Sequence, residues 1–189
     1  PTLTDPTVLL TRDLSGLGFN QRVLAQARDD SHPLLERVKF LGIAANNLDE
    51  FHMVGLASLL RQWRAGVDTV SPDGLDIDAR VEAVQGAARD MLRDFGVCWD
   101  ELRLLLAGHD IRILDRKDYT PDVHVFLKHY FSAMVCPVLT PLAFDPGHTF
   151  PLISNRSRNL AVGVRHHRRT KFARVKIPHT LSRFIELPR

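Results

Sequence analysis

The stretch IDARVEAVQGAARDMLRDFGVCWDELRLLL, residues 77–106, decides the fold. Its residues Ile77, Val81, Val84, Ala88, Met91, Phe95, Trp99, Leu102 and Leu106 recur at steps of 4, 3, 4, 3, 4, 4, 3 and 4. That spacing puts one nearly heptad apolar stripe along a single helix. At 1.5 Å per residue the helix is about 45 Å long and spans a whole domain. Gly108 is a natural stop, and Phe95 and Trp99 are the expected anchors of the buried face.

Upstream, the pattern predicts three shorter helices. Leu17, Phe19, Val23, Leu24 and Ala27 mark the first, opened by Ser15 or Gly16 and ended by DDSHP. Pro33 suits the first turn of the second, with Ser31 or His32 as its cap. The run Asn46-Asn47-Leu48-Asp49-Glu50-Phe51 reads as a break and a restart. Asn47 with Glu50 three residues on resembles a capping box, and Asp49 and Glu50 complement the positive end of a third helix that reaches about Arg64. Downstream, IRIL at 111–114 reads as a short strand, and Thr120-Pro121-Asp122 opens a helix running to about Met134. Prolines 137, 141, 146 and 151 then break helices. Strands are expected at 160–165 and 172–177. The fold class is α+β: an amino-terminal antiparallel helical bundle over 1–108, then the incomplete beginning of an α+β head domain over 109–189.

Composition narrows the function classes. The chain has 189 residues, 44% hydrophobic and 25% charged, with a formal net charge of +3. These are values of an ordinary globular protein, mildly basic, which permits an anionic partner without demanding one. Cys98 and Cys136, the only cysteines, make no disulfide framework and read as reduced, mostly buried thiols of a cytoplasmic protein. No apolar run reaches the roughly 18–20 residues of a membrane span. The first residues lack a signal-peptide pattern, and the missing initiator Met leads to the expectation that both ends are artificial.

Two stretches carry candidate chemistry. Asn47 at a helix start could touch a nucleotide or phosphate, because a helix amino terminus offers free N–H groups to an anion; simple capping is the commoner reason for an Asn there. Between residues 156 and 176 stand eight Lys or Arg and two His residues, among them Arg165, Arg168, Arg169 and Lys171. These could hold polyphosphate or nucleic acid by charge, or form a solvated hairpin turn. Only Phe172 interleaves them, which disfavours base stacking and so nucleic acid. The histidine spacing matches no metal motif, and no Walker loop, GxGxxG or GxSxG is present.

The run RDLSGLGFNQRVLAQARDDSHPLLERVKFLGIAANNLDEFHMV, residues 12–54, resembles the opening of bacterial polyphosphate kinases of the phosphohistidine type. Their pattern is ELSWLxFNxRVLxEA, then PLLERLKFL, then SNNLDEFFMVR. TPLAFDPGHTFPLISNRSRNLAV at 140–162 is similar to their TPLxVDPxHPFPxISNxSLNLAV, and FARVKIPHTLSRFIELP at 172–188 to their FARVKVPxxLPRFxxLP. The resemblance covers the chain almost end to end. It implies ATP as substrate, reversible transfer of its terminal phosphate to polyphosphate through a phosphohistidine, Mg²⁺, and a dimer. The phosphohistidine and the Mg²⁺ ligands belong to the family's C-terminal half, which this chain lacks. Asn47 matches the family's ATP-contacting Asn. Gly16 stands where the family usually has Trp, Gly55 where it usually has Arg, and the turn HHRRTK is more basic than usual.

The expected function is therefore an amino-terminal portion of a polyphosphate kinase that contributes to ATP binding and dimerisation without the catalytic histidine domain. A cytoplasmic location is expected, with association to a membrane complex as a further possibility. The alternatives are a non-catalytic dimerisation module or degenerate paralogue, and a basic hairpin that binds polyphosphate or nucleic acid.

Overall fold

In the computed structural model, residues 5–67, 69–144, 152–166 and 169–188 are described. The chain divides into two compact units, one ending at Ile113 and the other starting at Leu114.

The first unit is a helical bundle. Helix α1 (Arg12–Arg28) begins at Thr11, whose hydroxyl accepts from the Leu14 N–H. Ser15 and Gly16 lie inside the helix, so the expected start was four or five residues late. A tertiary contact selects Thr11: its own N–H donates to Asp73 Oδ2 at 3.1 Å, while Ser71 Oγ donates to Asp73 Oδ1 at 2.5 Å. Burial pushes the Asp73 carboxyl up, but these hydrogen bonds and one from Leu75 outweigh it and hold it below the usual range.

Helix α2 (Leu34–Phe51) starts after Pro33, with no side-chain cap from Ser31 or His32. It then runs straight through Asn46 and Asn47, which corrects the expected break. A π turn (His52–Leu56) and helix α3 (Ala57–Arg64) extend it. Asp49 and Glu50 thus lie near the carboxyl end of α2. The pairing of α1 with α2 is antiparallel. Arg37 Nε donates to the Ala27 carbonyl at 2.9 Å, and Asn20 Nδ2 to the Ala44 carbonyl at 2.9 Å. The first bond satisfies a carbonyl that the end of α1 leaves open.

Helix α4 (Ile77–Ala107) is capped by Asp76 and has the expected length. Its buried seam is Val81, Val84, Ala88, Met91, Cys98, Leu102 and Leu106. Cys98 takes the seam position and Trp99 flanks it. Two apolar clusters form the core. One joins Leu17, Leu48 and Leu59 to the Val81–Met91 part of α4; the other joins Leu24, Leu41 and Ala44 to Cys98 and Leu102. Phe95 packs on both. Burial pushes the Cys98 thiol up, away from reactive thiolate. Cys136 is exposed, contrary to expectation.

The end of α4 replaces the expected strand at 111–114. Gly108 stays right-handed (φ −65), and Asp110 is left-handed (φ 62). Ile111 N–H donates to Leu106 O at 3.0 Å and Asp110 N–H to Ala107 O at 3.2 Å. This is the Schellman pattern, with Ile111 folded back toward Leu106.

In the second unit, Thr120 caps helix α5 (Pro121–Tyr130), and a π turn (Phe131–Val135) and a 3₁₀ turn follow. Strands β1 (Pro141–Phe144), β2 (Arg158–His166) and β3 (Arg169–Ile177) form an antiparallel sheet of order β1-β3-β2. The two expected strands are present and longer.

Phe95→Ala should cost about 3 kcal/mol, because it opens space between two clusters at once; a loss below about 1 kcal/mol on chemical denaturation would contradict this packing role. Asp110→Gly should stabilise by about 1 kcal/mol, since it relieves a left-handed Cβ and removes an anion from a helix carboxyl end. The same denaturation measurement checks it.

Candidate functional site

Asn47 sits in the interior of α2, thirteen residues from its start, or about 20 Å along the axis at 1.5 Å per residue. A helix dipole acts within its first turn, so the anion-at-a-helix-start rationale does not apply here. Neither reading that put Asn47 at a cap survives. What makes a mid-helix Asn tolerable is a tertiary bond: Asn47 Nδ2 donates to Asn20 Oδ1 at 3.2 Å. Asn20 is 4% exposed, and its Nδ2 also lies 3.3 Å from Met91 Sδ.

Asn20 and Asn47 line one part of a groove of about 510 Å³ in the first unit. The groove follows α1 from Arg12 to Asn20, about 12 Å at 1.5 Å per residue. Its apolar wall comes from Leu17, Phe51 and Leu59. Glu50 adds an exposed carboxylate beside that wall, and toward Arg12 the lining is charged as well. Arg80 of α4 donates to Asp13 Oδ2 through Nε at 3.2 Å and Nη2 at 2.5 Å, and both side chains are mostly buried. Arg12 is exposed beside them. Ser58 and Gln62 add neutral polar groups.

The π turn shapes this groove. At its start His52 Nδ1 lies 2.8 Å from the Leu48 carbonyl, which also accepts from the His52 backbone N–H. A carbonyl only accepts, so Nδ1 carries the proton. Gly16 and Gly55 both line the groove. A Cβ at Gly16 would meet nothing within 4 Å among the described residues. At Gly55 it would meet the Phe51 ring at 3.1 Å. The two positions that depart from the resembling pattern therefore face the same space, and Phe51 occupies part of what a side chain at 55 would need.

The basic stretch does not gather into one patch. Arg168 lies outside the described residues, and Arg169 opens β3. Arg165 pairs with Thr170 and Lys171 with Val164, so strand alternation puts Arg165 and Lys171 on opposite faces of the sheet. Arg165 shares its face with Arg174 and Lys176 instead. Arg174 is already committed to Asn159 Oδ1 at 2.9 Å and to the Leu152 carbonyl at 3.1 Å.

The sequence reading missed Asn20, Asp13 and Arg80. A signal for Asn20 was available: with Leu17, Leu24 and Ala27 it holds a core position of α1, where a polar residue needs a partner. Asp13 and Arg80 lie 67 residues apart and gave none.

Comparison with known proteins adds two matched regions. Residues 9–114 match the polyphosphate kinase N-terminal domain, and residues 123–189 the polyphosphate kinase middle domain. A polyphosphate kinase of Prosthecochloris aestuarii is 40% identical over 99% of this chain and 27% of its own length. One of Mycobacterium avium is 46% identical over 94% of this chain and 25% of its own. The crystal structure of polyphosphate kinase from Porphyromonas gingivalis superposes with a TM-score of 0.72 at 27% identity, covering 94% of this chain and 27% of that one. The chain thus spans about a quarter of the length of these relatives.

Gly16→Ala should raise stability by about 0.5–1 kcal/mol, because a mid-helix Gly gives way to the best helix former with open space around the new methyl. A thermal denaturation midpoint that falls would mean the groove closes over that position.

Proposed function

Because the chain belongs to the polyphosphate kinase family, as its N-terminal and middle portions, we propose that its helical unit contributes to ATP binding through the groove that Asn47 lines. The observation that carries this reading is the groove's polarity gradient. It has a neutral amide pair at one end, an apolar wall with the exposed Glu50 carboxylate beside it, and Arg12 beside the Asp13–Arg80 pair at the other. A nucleotide has the same order of chemistry, from a flat base with hydrogen-bonding edges to anionic phosphates. Asn47, far from a helix amino end, suits the base better than the phosphates.

The reaction expected of the whole protein is reversible transfer of the terminal phosphate of ATP to polyphosphate. Phosphoryl transfer depends on positioning and charge stabilisation, and this chain's share is positioning. No cluster of three or more His, Cys, Asp or Glu side chains able to hold a metal occurs among the described residues. Mg²⁺ is expected of the whole protein, with its ligands outside this chain. The exposed Arg165 and Lys171 are offered as separate anion contacts for the polyphosphate chain, one on each face of the sheet. Homodimer formation belongs to the same reading, supported by exposed Leu92, Val97 and Leu104 on α4. No helix among the described residues is long and apolar enough to cross a membrane; a cytoplasmic setting is part of the same proposal.

In the full-length product of the gene, Asn47→Ala should weaken ATP binding about tenfold, the scale of one lost polar contact to a base. Unchanged ATP affinity would take Asn47 out of the site. The 189-residue chain alone, given labelled ATP, Mg²⁺ and a polyphosphate primer, should yield neither labelled polymer nor acid-labile phosphoenzyme. A robust phosphoenzyme would overturn this division of labour.

A further inference from the structure

We propose that Asn20 is a positioning residue: it fixes which way round the Asn47 amide faces the groove, and so makes the site prefer a 6-amino purine over a 6-oxo purine. This rests on the reading that Asn47 meets the base.

The two ends of an amide group are distinguished by their partners, and here the partners leave no choice. The chain of inference begins at the Ala44 carbonyl, which can only accept. Asn20, 2.9 Å away, must therefore offer it Nδ2. The other end of Asn20 is then Oδ1, which also only accepts. Asn47, 3.2 Å from that oxygen, must offer its own Nδ2. Turning either amide over would set two like atoms against each other. Asn20 is 4% exposed, where water does not relieve such a clash. A backbone carbonyl thus dictates the orientation of a groove-lining side chain through two amides.

Asn47 is left with Oδ1 and its second N–H for a ligand. An acceptor beside a donor complements the adenine edge, where an exocyclic amine donates and the neighbouring ring nitrogen accepts. Hypoxanthine reverses that edge, with a 6-oxo acceptor beside a ring N–H donor. A freely turning amide would match both bases by rotating. A locked one matches adenine and opposes hypoxanthine, and sites that leave a polar group unpaired discriminate strongly.

The test compares the affinity of ATP with that of inosine triphosphate in the full-length gene product. The unaltered protein should prefer ATP by roughly tenfold or more, the scale of one well-placed amide pair. Asn20→Leu keeps the size but removes the lock, and the preference should shrink to within about threefold, mainly because inosine triphosphate binds better. Val84→Ala, which removes fully buried apolar volume elsewhere in the core, should lower thermal stability and leave the ratio unchanged. If Asn20→Leu keeps the full preference while Asn47→Ala abolishes it, the lock is refuted and the Asn47 reading stands. If Asn47→Ala changes neither affinity nor ratio, both fall. Should Asn20→Leu fail to fold, the unaltered protein still decides. The Asn47 side-chain amide proton donated to Asn20 Oδ1 should exchange with deuterium at least roughly tenfold more slowly than the amide protons of exposed Asn155, as expected of a proton held in a partly buried hydrogen bond. Equal rates would refute the lock.

Discussion

A single buried amide governs how the helical unit fits together. Asn20 lies between two apolar clusters, with Leu17 in one and Leu24 in the other. Leaving its polar atoms without partners would cost on the order of 1–3 kcal/mol. Helices α1 and α2 avoid that cost only in the register that brings the Ala44 carbonyl and the Asn47 amide to it. A purely apolar seam tolerates sliding by a turn, because one leucine replaces another. A polar plug does not, so Asn20 adds specificity to what hydrophobic burial supplies in strength. Arg37 on the Ala27 carbonyl and Asp13 beside Gly55 then fall into line on either side.

The groove follows from the same register. Beyond Asn20, toward the start of α1, the partner surface is no longer regular α-helix. The π turn His52–Leu56 shifts the rod by one residue, and Gly16 and Gly55 withhold side chains where the two elements face one another. The space is walled by Phe51 and closed off on the α4 side by the Asp13–Arg80 pair. Wide turns of this kind recur at functional sites, and here the reason is geometric: the turn frees space without breaking the rod.

Most of the fold was legible in the sequence because it rests on periodicity. The stripe of α4, the cap at Thr120 and the two long strands all come from local pattern. Errors arose where a local rule met a non-local partner. NNLDEF satisfies the capping pattern, yet Asn47 pairs with a residue 27 positions upstream, and α2 continues. Trp99 looked like the better seam residue, but the small Cys98 thiol fits the crossing and the indole flanks it. Ile111 to Leu114 reads as a strand because a folded-back helix end also wants an apolar residue. The basic stretch looked like one patch because sequence alone does not fix the register of a hairpin, and register decides the faces. Asn47 was singled out by the helix-start pattern, whose rationale the continuous α2 removes, and by resemblance; Asn20 was legible as a polar residue in a core position.

The change in Asn47's setting alters what the site can be asked to do. A helix amino end attracts phosphate whatever base it carries, and so offers affinity without selectivity. An amide held in mid-helix offers little attraction to an anion and much directional demand. On that reading charge comes from elsewhere, and the groove offers Arg12, some 12 Å away along α1 beside the Asp13–Arg80 pair. Arg80 is already balanced by Asp13, and that balance lets a guanidinium be mostly buried without an uncompensated charge. On the proposed reading, recognition and attraction are separated along one helix: α1 holds Asn20, which would orient Asn47, and eight residues earlier Arg12, which faces solvent and would meet a charged ligand first. The spacing between them is set by the helix rise, so a ligand that satisfies both ends must have its polar edge and its anionic end at roughly that distance.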